Sequence, residues 1–307
     1  MTDHSTRLTR RKFTAGLISS SLLISSGLAG REPEQKGSFD LMKEVLRFKK
    51  VDAYTTSVFT KESIAQHLDY ADRYGISRMF AANPMTQIEL TPAEFRELNN
   101  KVIAAVRQHP DRFTGQFTLN PRFRKESLDE IDRCLDAGMT GTRLYQQVKI
   151  NDPLYEPVIE KLASRNILIF MHGECQMGVG GYKMKYDAGK VKTISTPDDF
   201  ADAARKYPEA MFQFAHLGGG SDWECMCKTF EPYPNIYVDT GGSNNEEYMV
   251  DFALKHLGED RLFFGSDNSF YQSIGKIFAS ELTDGQKEKL FFKNYQRVLK
   301  KGGFHVD

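Results

Sequence analysis

Two histidines and one aspartate follow apolar runs at places where β-strands should end. His172 closes "ILIFMHG", His216 closes "AMFQFAH", and Asp267 follows "RLFFGS". The chain has seven histidines, so two in the same local pattern favour a shared site over isolated core residues. Imidazole nitrogens and a carboxylate suit a borderline divalent ion such as Zn²⁺. Three protein ligands plus water would suffice for a catalytic zinc centre, whose bound water has a pKa of about 7.

Four other polar residues near strand ends are candidates for substrate binding. Arg143 can clamp a carboxylate with two N–H groups or, equally, form an internal ion pair. Tyr145 lies on the same segment as Arg143. Tyr54 can donate a proton to an oxyanion or can simply fill the barrel interior. Glu174 shares a face with His172 if the chain stays extended between them.

Short β-rich runs alternate with segments of helical period from Val51 onward. One helical segment begins at Thr91-Pro92, an N-cap followed by proline in the first turn. The alternation predicts a parallel sheet, and eight such units in about 250 residues predict an α/β fold of the (β/α)₈ TIM-barrel class. An open doubly wound sheet would need a nucleotide fingerprint, whose spacing "GVGGYK" at 178–183 lacks. In a barrel the polar strand ends meet at one face.

The first 29 residues have the layout of an export signal. "TRRKF" resembles the twin-arginine signal, and the apolar run after it is broken by serines and falls short of the roughly 20 residues that a membrane span needs. Gly27 and Ala29 predict cleavage near Ala29. Residues 30–50 are then a lead-in with one short helix, and residues 51–301 form the barrel. The sequence predicts a periplasmic or extracellular protein without a stable membrane anchor after cleavage.

Composition argues against several other classes of protein. The 41 lysines and arginines balance the 41 aspartates and glutamates, and no basic stripe interleaves with aromatics. Nucleic acid is therefore not an expected partner. Four cysteines in 307 residues are too few for a disulfide framework. A small-molecule substrate is the expected partner.

Residues 50–300 resemble the amidohydrolase superfamily, specifically the amidohydrolase-2 group of barrel metal hydrolases and decarboxylases. The stretches that carry the resemblance are "GMTGTRLY…NDPLYEPVIEKLASRNILIFMHG", "FAHLGGG", "NIYVDTGG", "RLFFGSDNSF" and "KLFFKNYQRVL". The resemblance implies that His172 is the fifth-strand metal ligand. It implies that His216 binds metal or polarises the substrate. It also implies that Asp267 binds metal and acts as general acid and base on the bound water.

The first strand departs from this family pattern. The family has a His-x-His pair after an aspartate, whereas here Asp52 is followed by Tyr54 and Thr56. One divalent ion, most simply zinc, is still expected on the remaining ligands, with Glu174 as a possible replacement. The main expectation is hydrolysis of a small amide, ester or lactone by a metal-activated water. The alternatives are a non-oxidative decarboxylase of the same family, and a metal-free or non-catalytic barrel that binds a small acid.

Overall fold

The computed structural model describes residues 39–56, 59–83, 87–175, 192–220 and 222–306. The predicted export signal and the glycine-rich segment 178–183 lie outside the described residues. The chain divides into the units Met1–Asp40 and Leu41–Asp307, and every element below belongs to the second unit. Within the described residues, no helix has the length and apolar character needed to cross a membrane.

Eight strands alternate with helices, as the sequence predicts. The strands are β1 (Lys50–Thr56), β2 (Ile76–Ala82), β3 (Phe113–Phe117), β4 (Gly141–Thr142), β5 (Ile169–His172), β6 (Phe212–Ala215), β7 (Ile236–Asp239) and β8 (Leu262–Phe263). The α-helices are α1 (Leu41–Leu46), α2 (Lys61–Tyr74), α3 (Pro92–Gln108), α4 (Arg124–Asp136), α5 (Glu156–Ala163), α6 (Pro197–Lys206), α7 (Trp223–Phe230), α8 (Met249–Leu257), α9 (Phe270–Ala279), α10 (Asp284–Glu288) and α11 (Asn294–Lys301). Two 3₁₀ turns (Pro153–Tyr155, Leu217–Gly220) and one π-helical turn (Lys289–Lys293) complete the set.

The strands close into a barrel. Strands β1 to β4 form one parallel sheet in sequence order, and β5 to β8 form another. The sheets meet where Leu144, just after β4, bridges to Met171 of β5. At the other seam the Asp267 N–H donates to the Tyr54 carbonyl over 3.0 Å. These contacts confirm the (β/α)₈ barrel and bring the ends of β8 and β1 together.

Local sequence signals explain where the helices begin. Thr91 caps α3, because its hydroxyl accepts from the Glu94 N–H and the Glu94 carboxylate accepts from the Thr91 N–H. Pro92 occupies the first turn, where its missing N–H costs nothing. The N-cap expected at Thr91 is therefore confirmed.

A buried carboxylate joins β1 to the segment after β8. Asp52 is fully buried and accepts hydrogen bonds from the Tyr54 N–H (3.0 Å), the Thr55 hydroxyl (2.6 Å), and the N–H (2.8 Å) and hydroxyl of Ser266. Burial raises the pKa of Asp52 to about 6, although the hydrogen bonds oppose that shift. Asp52 therefore acts in barrel closure.

Candidate active site

His216 is held in one orientation at the end of β6. Its side chain is almost fully buried, and its Nδ1 lies 2.6 Å from Oδ1 of Asp239, the last residue of β7. Burial alone would raise the pKa of Asp239, but the charge and hydrogen bond of His216, with hydrogen bonds from Gln213 and the Gly241 N–H, lower it. The ionised carboxylate therefore accepts from Nδ1–H, and Nε2 is left for the barrel mouth.

Asp267 and His172 lie on the open side of His216. The Asp267 Oδ2 is 3.5 Å from the His216 Nε2, and about a third of the Asp267 side chain is exposed. Asp267 has a φ of +46°, an uncommon backbone conformation outside glycine. The His172 ring centroid is 6.0 Å from that of His216. The three residues expected from sequence thus lie at the same end of the barrel.

Two tyrosines fill the space between these groups. The buried Tyr54 ring packs edge-on against His216 with 4.4 Å between centroids. Its hydroxyl lies 3.3 Å from the hydroxyl of Tyr145. The Tyr145 ring stacks on His172 at 5.2 Å with only 14° between planes. Burial, the largest effect, raises the pKa of Tyr54 well above 10, so its phenol stays protonated at neutral pH.

Arg143 lies behind the Tyr54 ring. The Arg143 guanidinium carbon is 3.7 Å from the centre of that ring, and the residue is fully buried. Its Nε and Nη2 donate to the Gln116 side-chain oxygen, and Nη2 also reaches the Phe80 carbonyl at 3.3 Å. The structure therefore separates Arg143 from the barrel mouth by an aromatic ring.

Glu174 and Thr56 occupy the rim of the site. The Glu174 Oε1 is 3.7 Å from the His172 Nε2, beyond hydrogen-bonding distance, and both side chains are partly exposed. Thr56 is bound to Asn268, whose amide nitrogen donates to the Thr56 carbonyl (3.0 Å) and hydroxyl (2.9 Å). Thr56 thus fixes the residue next to Asp267.

The loop after β7 encloses the His216 ring. A Cβ built on Gly241 would lie 2.7 Å from the His216 Nδ1, and one on Gly242 would lie 2.9 Å from its Cδ2. The buried Lys276 ammonium donates to the carbonyls of Thr240 (3.1 Å), Gly241 (3.3 Å) and Gly242 (2.9 Å). Burial lowers the pKa of Lys276 to about 8. Glycines and a buried lysine therefore hold the loop against His216.

Sequence reasoning missed the role of Asp239. The carboxylate accepts from the Gly241 N–H over 2.9 Å, as the cap of a loop does. Its shorter contact is to His216, however, which makes it the group that orients the histidine. The available signal was its position, because Asp239 ends β7 as His216 follows β6.

The donor groups as placed do not fit a divalent ion. Across the described ranges, no cluster of three or more His, Cys, Asp and Glu side chains is arranged to hold a metal. Tyr54 occupies the interior position between His216 and Tyr145 with an aromatic ring. The zinc expected on His172, His216 and Asp267 therefore gains no support from their geometry.

Comparison with known proteins places the chain in a family. The family model described as amidohydrolase (Amidohydro_2) matches residues 77–301. The chain therefore belongs to the amidohydrolase-2 family, as its sequence motifs predicted.

Individual relatives are decarboxylases. The chain is 23% identical over 233 residues to 2-amino-3-carboxymuconate-6-semialdehyde decarboxylase of Dictyostelium discoideum, a match covering 67% of this chain and 63% of that protein. It resembles the structure of 2,6-dihydroxybenzoate decarboxylase from Rhizobium with a TM-score of 0.65 and 16% identity, over 82% and 99% of the two chains. It also resembles a dihydroxybenzoic acid decarboxylase from a Polaromonas species, solved with manganese and 2-nitroresorcinol, with a TM-score of 0.64 and 16% identity over 82% and 97%. At these identities the structural likeness shows the fold.

Proposed function

We propose that this protein is a non-oxidative decarboxylase of a small unsaturated carboxylic acid. The observation that carries the proposal is the row of Asp239, His216 and Asp267, which runs from the barrel interior to its open end. The decarboxylases among its relatives add support. The hydrolysis expected from sequence is less well supported, because these relatives are named for loss of CO₂.

The row of side chains can deliver a proton to carbon. In the proposed step Asp267 donates a proton to the carbon that bears the carboxylate, and His216 Nε2, 3.5 Å away, shares that proton with Asp267 before the transfer. The bond from this carbon to the carboxylate then breaks, its electron pair stays on the substrate, and CO₂ leaves. The balance is R–COO⁻ + H⁺ → R–H + CO₂, and the partly exposed Asp267 recovers its proton from water.

The substrate class follows from this chemistry. Protonation at a ring or alkene carbon is easiest where a neighbouring hydroxyl or amino group donates electrons. The relatives' names describe such acids, with the carboxyl group on an unsaturated carbon beside a hydroxyl or amino group. We propose a hydroxy- or amino-substituted aromatic or conjugated acid for this chain.

The experiment offers the purified chain a panel of hydroxybenzoates, aminobenzoates, esters and lactones, once with a chelator and once with added Mn²⁺. Release of CO₂ from one acid is expected, and in D₂O the product should carry deuterium at the carbon that lost its carboxylate. Asp267→Asn should lower kcat by about 10²-fold or more, the usual contribution of a general acid.

The matched control is Asp202→Asn on α6, where a half-exposed aspartate forms a surface ion pair. This variant should keep wild-type kcat. Hydrolysis of an ester or lactone without CO₂ release from any acid would contradict the proposal. Full activity in Asp267→Asn would contradict the assignment of the acid.

A further inference from the structure

Arg143 carries a buried positive charge without a negative partner. The residue is fully buried, and no ion pair formed by the described residues includes it. Its hydrogen bonds go to the neutral oxygens of Gln116 and Phe80, and its Nη1 has no hydrogen-bond partner. An uncompensated buried charge is costly, so an anion bound nearby would offset part of that cost.

The Tyr54 ring contacts both the Arg143 guanidinium and the His216 ring, and its hydroxyl meets that of Tyr145. The Phe170 ring also lies against the guanidinium, with 4.6 Å from the guanidinium carbon to the ring centre. The guanidinium carbon lies 3.7 Å from the centre of the Tyr54 ring, inside the range of a cation–π contact. A cation against this face draws electron density from the Tyr54 ring and makes the hydroxyl a better hydrogen-bond donor. The charge of Arg143 is thereby directed toward the Tyr54 hydroxyl.

One hydroxyl hydrogen of the Tyr54–Tyr145 pair has no acceptor among the described residues. Tyr54 and Tyr145 face each other with their oxygens 3.3 Å apart. Only one of the two hydrogens can lie between these oxygens. The other has no acceptor in the described ranges; the Tyr54 side chain is almost fully buried, and that of Tyr145 is partly exposed. A third oxygen placed beside the pair would accept it.

We propose that the Tyr54 and Tyr145 hydroxyls, backed by the Arg143 guanidinium, bind a carboxylate oxygen of an aromatic acid. The assignment of this acid as the substrate rests on the proposed function. The His172 ring, stacked on Tyr145 at 5.2 Å, forms one wall of the subsite. Arg143 acts through Tyr54 and is a positioning residue.

Benzoate is the probe, because it lacks the electron-donating groups that ease loss of CO₂. Calorimetric titration of the chelator-treated chain should show benzoate binding. Tyr54→Phe and Tyr145→Phe should each weaken it about 10-fold, as expected for one hydrogen bond to a charged group. The control is Tyr155→Phe, which removes a buried hydroxyl that has no hydrogen-bond partner. The proposal would be overturned by wild-type affinity in both site variants, by the absence of benzoate binding to the wild-type chain, or by binding only with added Mn²⁺.

Arg143→Met tests the role of the charge. This variant should lose affinity for benzoate and keep its affinity for neutral benzamide, because only the former responds to the guanidinium field. Equal loss for both ligands would show a purely structural role. If the methionine variant does not fold, Arg143→Lys answers the same question, because it keeps the charge and should keep the preference for benzoate over benzamide.

The outcomes separate this subsite from the proposed reaction. Benzoate binding that depends on both tyrosines, with no acid decarboxylated, would keep the subsite and refute the proposed function. Decarboxylation by Tyr54→Phe and Tyr145→Phe with wild-type KM would refute the subsite and keep the function.

Discussion

One hydrogen bond decides which nitrogen of His216 faces the barrel mouth. The Asp239 carboxylate is fully buried and ionised, and it lies 2.6 Å from Nδ1. The Gln213 amide donates to its second oxygen over 3.1 Å. Asp239 therefore fixes both the tautomer and the ring plane of His216, as carboxylates do for histidines in many catalytic sites.

Asp239→Asn should lower kcat about 10- to 100-fold. An asparagine can present its N–H₂ to Nδ1, which places the histidine proton on Nε2 and disturbs proton exchange with Asp267. Steady-state kinetics on the acid found active should show the loss mainly in kcat, and benzoate affinity should stay within about twofold because the tyrosine pair is untouched. A variant with wild-type kcat across the pH range would refute this orienting role.

The sequence predicted which polar residues lie at strand ends, but it did not predict which of them contact one another. His172, His216 and Asp267 were identified because each follows an apolar run, and closure of the barrel brings such ends together. The Asp239 contact depends on the register of β6 against β7, which residue types do not reveal. The orientation of the Arg143 side chain depends on its hydrogen bond to the Gln116 side-chain oxygen, a contact between β3 and the chain after β4.

At the scale of elements, the loop between β7 and α8 determines how closely backbone can approach His216. Gly242 has a φ of +77°, and a Cβ there would meet three atoms of the His216 side chain at 2.9–3.0 Å. Gly258, at the end of α8, has nearly the same φ of +76° but nothing within 4 Å of an added Cβ. The two glycines share a positive φ and differ in contact with the site.

Gly242→Ala should reduce kcat strongly, whereas Gly258→Ala should leave it unchanged. Both alanines are forced to a positive φ, which costs about 1–3 kcal/mol of stability. Only the first also pushes the His216 ring away from Asp267. Urea denaturation and steady-state kinetics on both variants separate the effects. Equal activity in the two would show that the loop does not position His216.

The sequence predicted the number and order of the strands better than the length of each hydrogen-bonded strand. The strand of the fourth expected unit, β4, covers only Gly141–Thr142. Extended pairing nevertheless continues, because the Arg143 N–H donates to the Phe117 carbonyl and the Leu144 N–H to the Phe170 carbonyl, both over 2.7 Å. Successive residues thus bond to opposite neighbours, as in any strand that is paired on both sides. Local sequence does not show these pairings, because the partners Phe117 and Phe170 are distant in the chain.

At the scale of the whole molecule, hydrogen bonds to one buried carboxylate help to close the barrel between β8 and β1. Asp52 accepts from four donors there, two of them on Ser266 after β8. The carboxylate is nevertheless more costly to ionise in the folded chain than in water, because burial outweighs the hydrogen bonds and raises its pKa to about 6. Barrel closure and stability against pH are therefore linked at this residue.

Asp52→Asn should change how stability depends on pH. Between pH 3.8, the ordinary pKa of an aspartate, and about pH 6, the folded chain keeps a proton that the unfolded chain has released. The contribution of Asp52 to stability therefore falls as pH rises. The shift is about 2 pH units, so the free energy of unfolding of the wild type relative to Asp52→Asn should fall by about 3 kcal/mol from pH 4 to pH 7 and then stay level. Urea denaturation of both chains across this range measures the difference.

Asp199→Asn is the control, because burial raises the pKa of Asp199 but the hydrogen bonds of Lys149 and Thr196 lower it overall. The wild type should therefore lose no stability relative to Asp199→Asn between pH 4 and pH 7, because the contribution of a carboxylate with a lowered pKa is lost only at lower pH. A pH-independent difference for Asp52→Asn would show that its carboxylate is solvated as well in the barrel as in the unfolded chain.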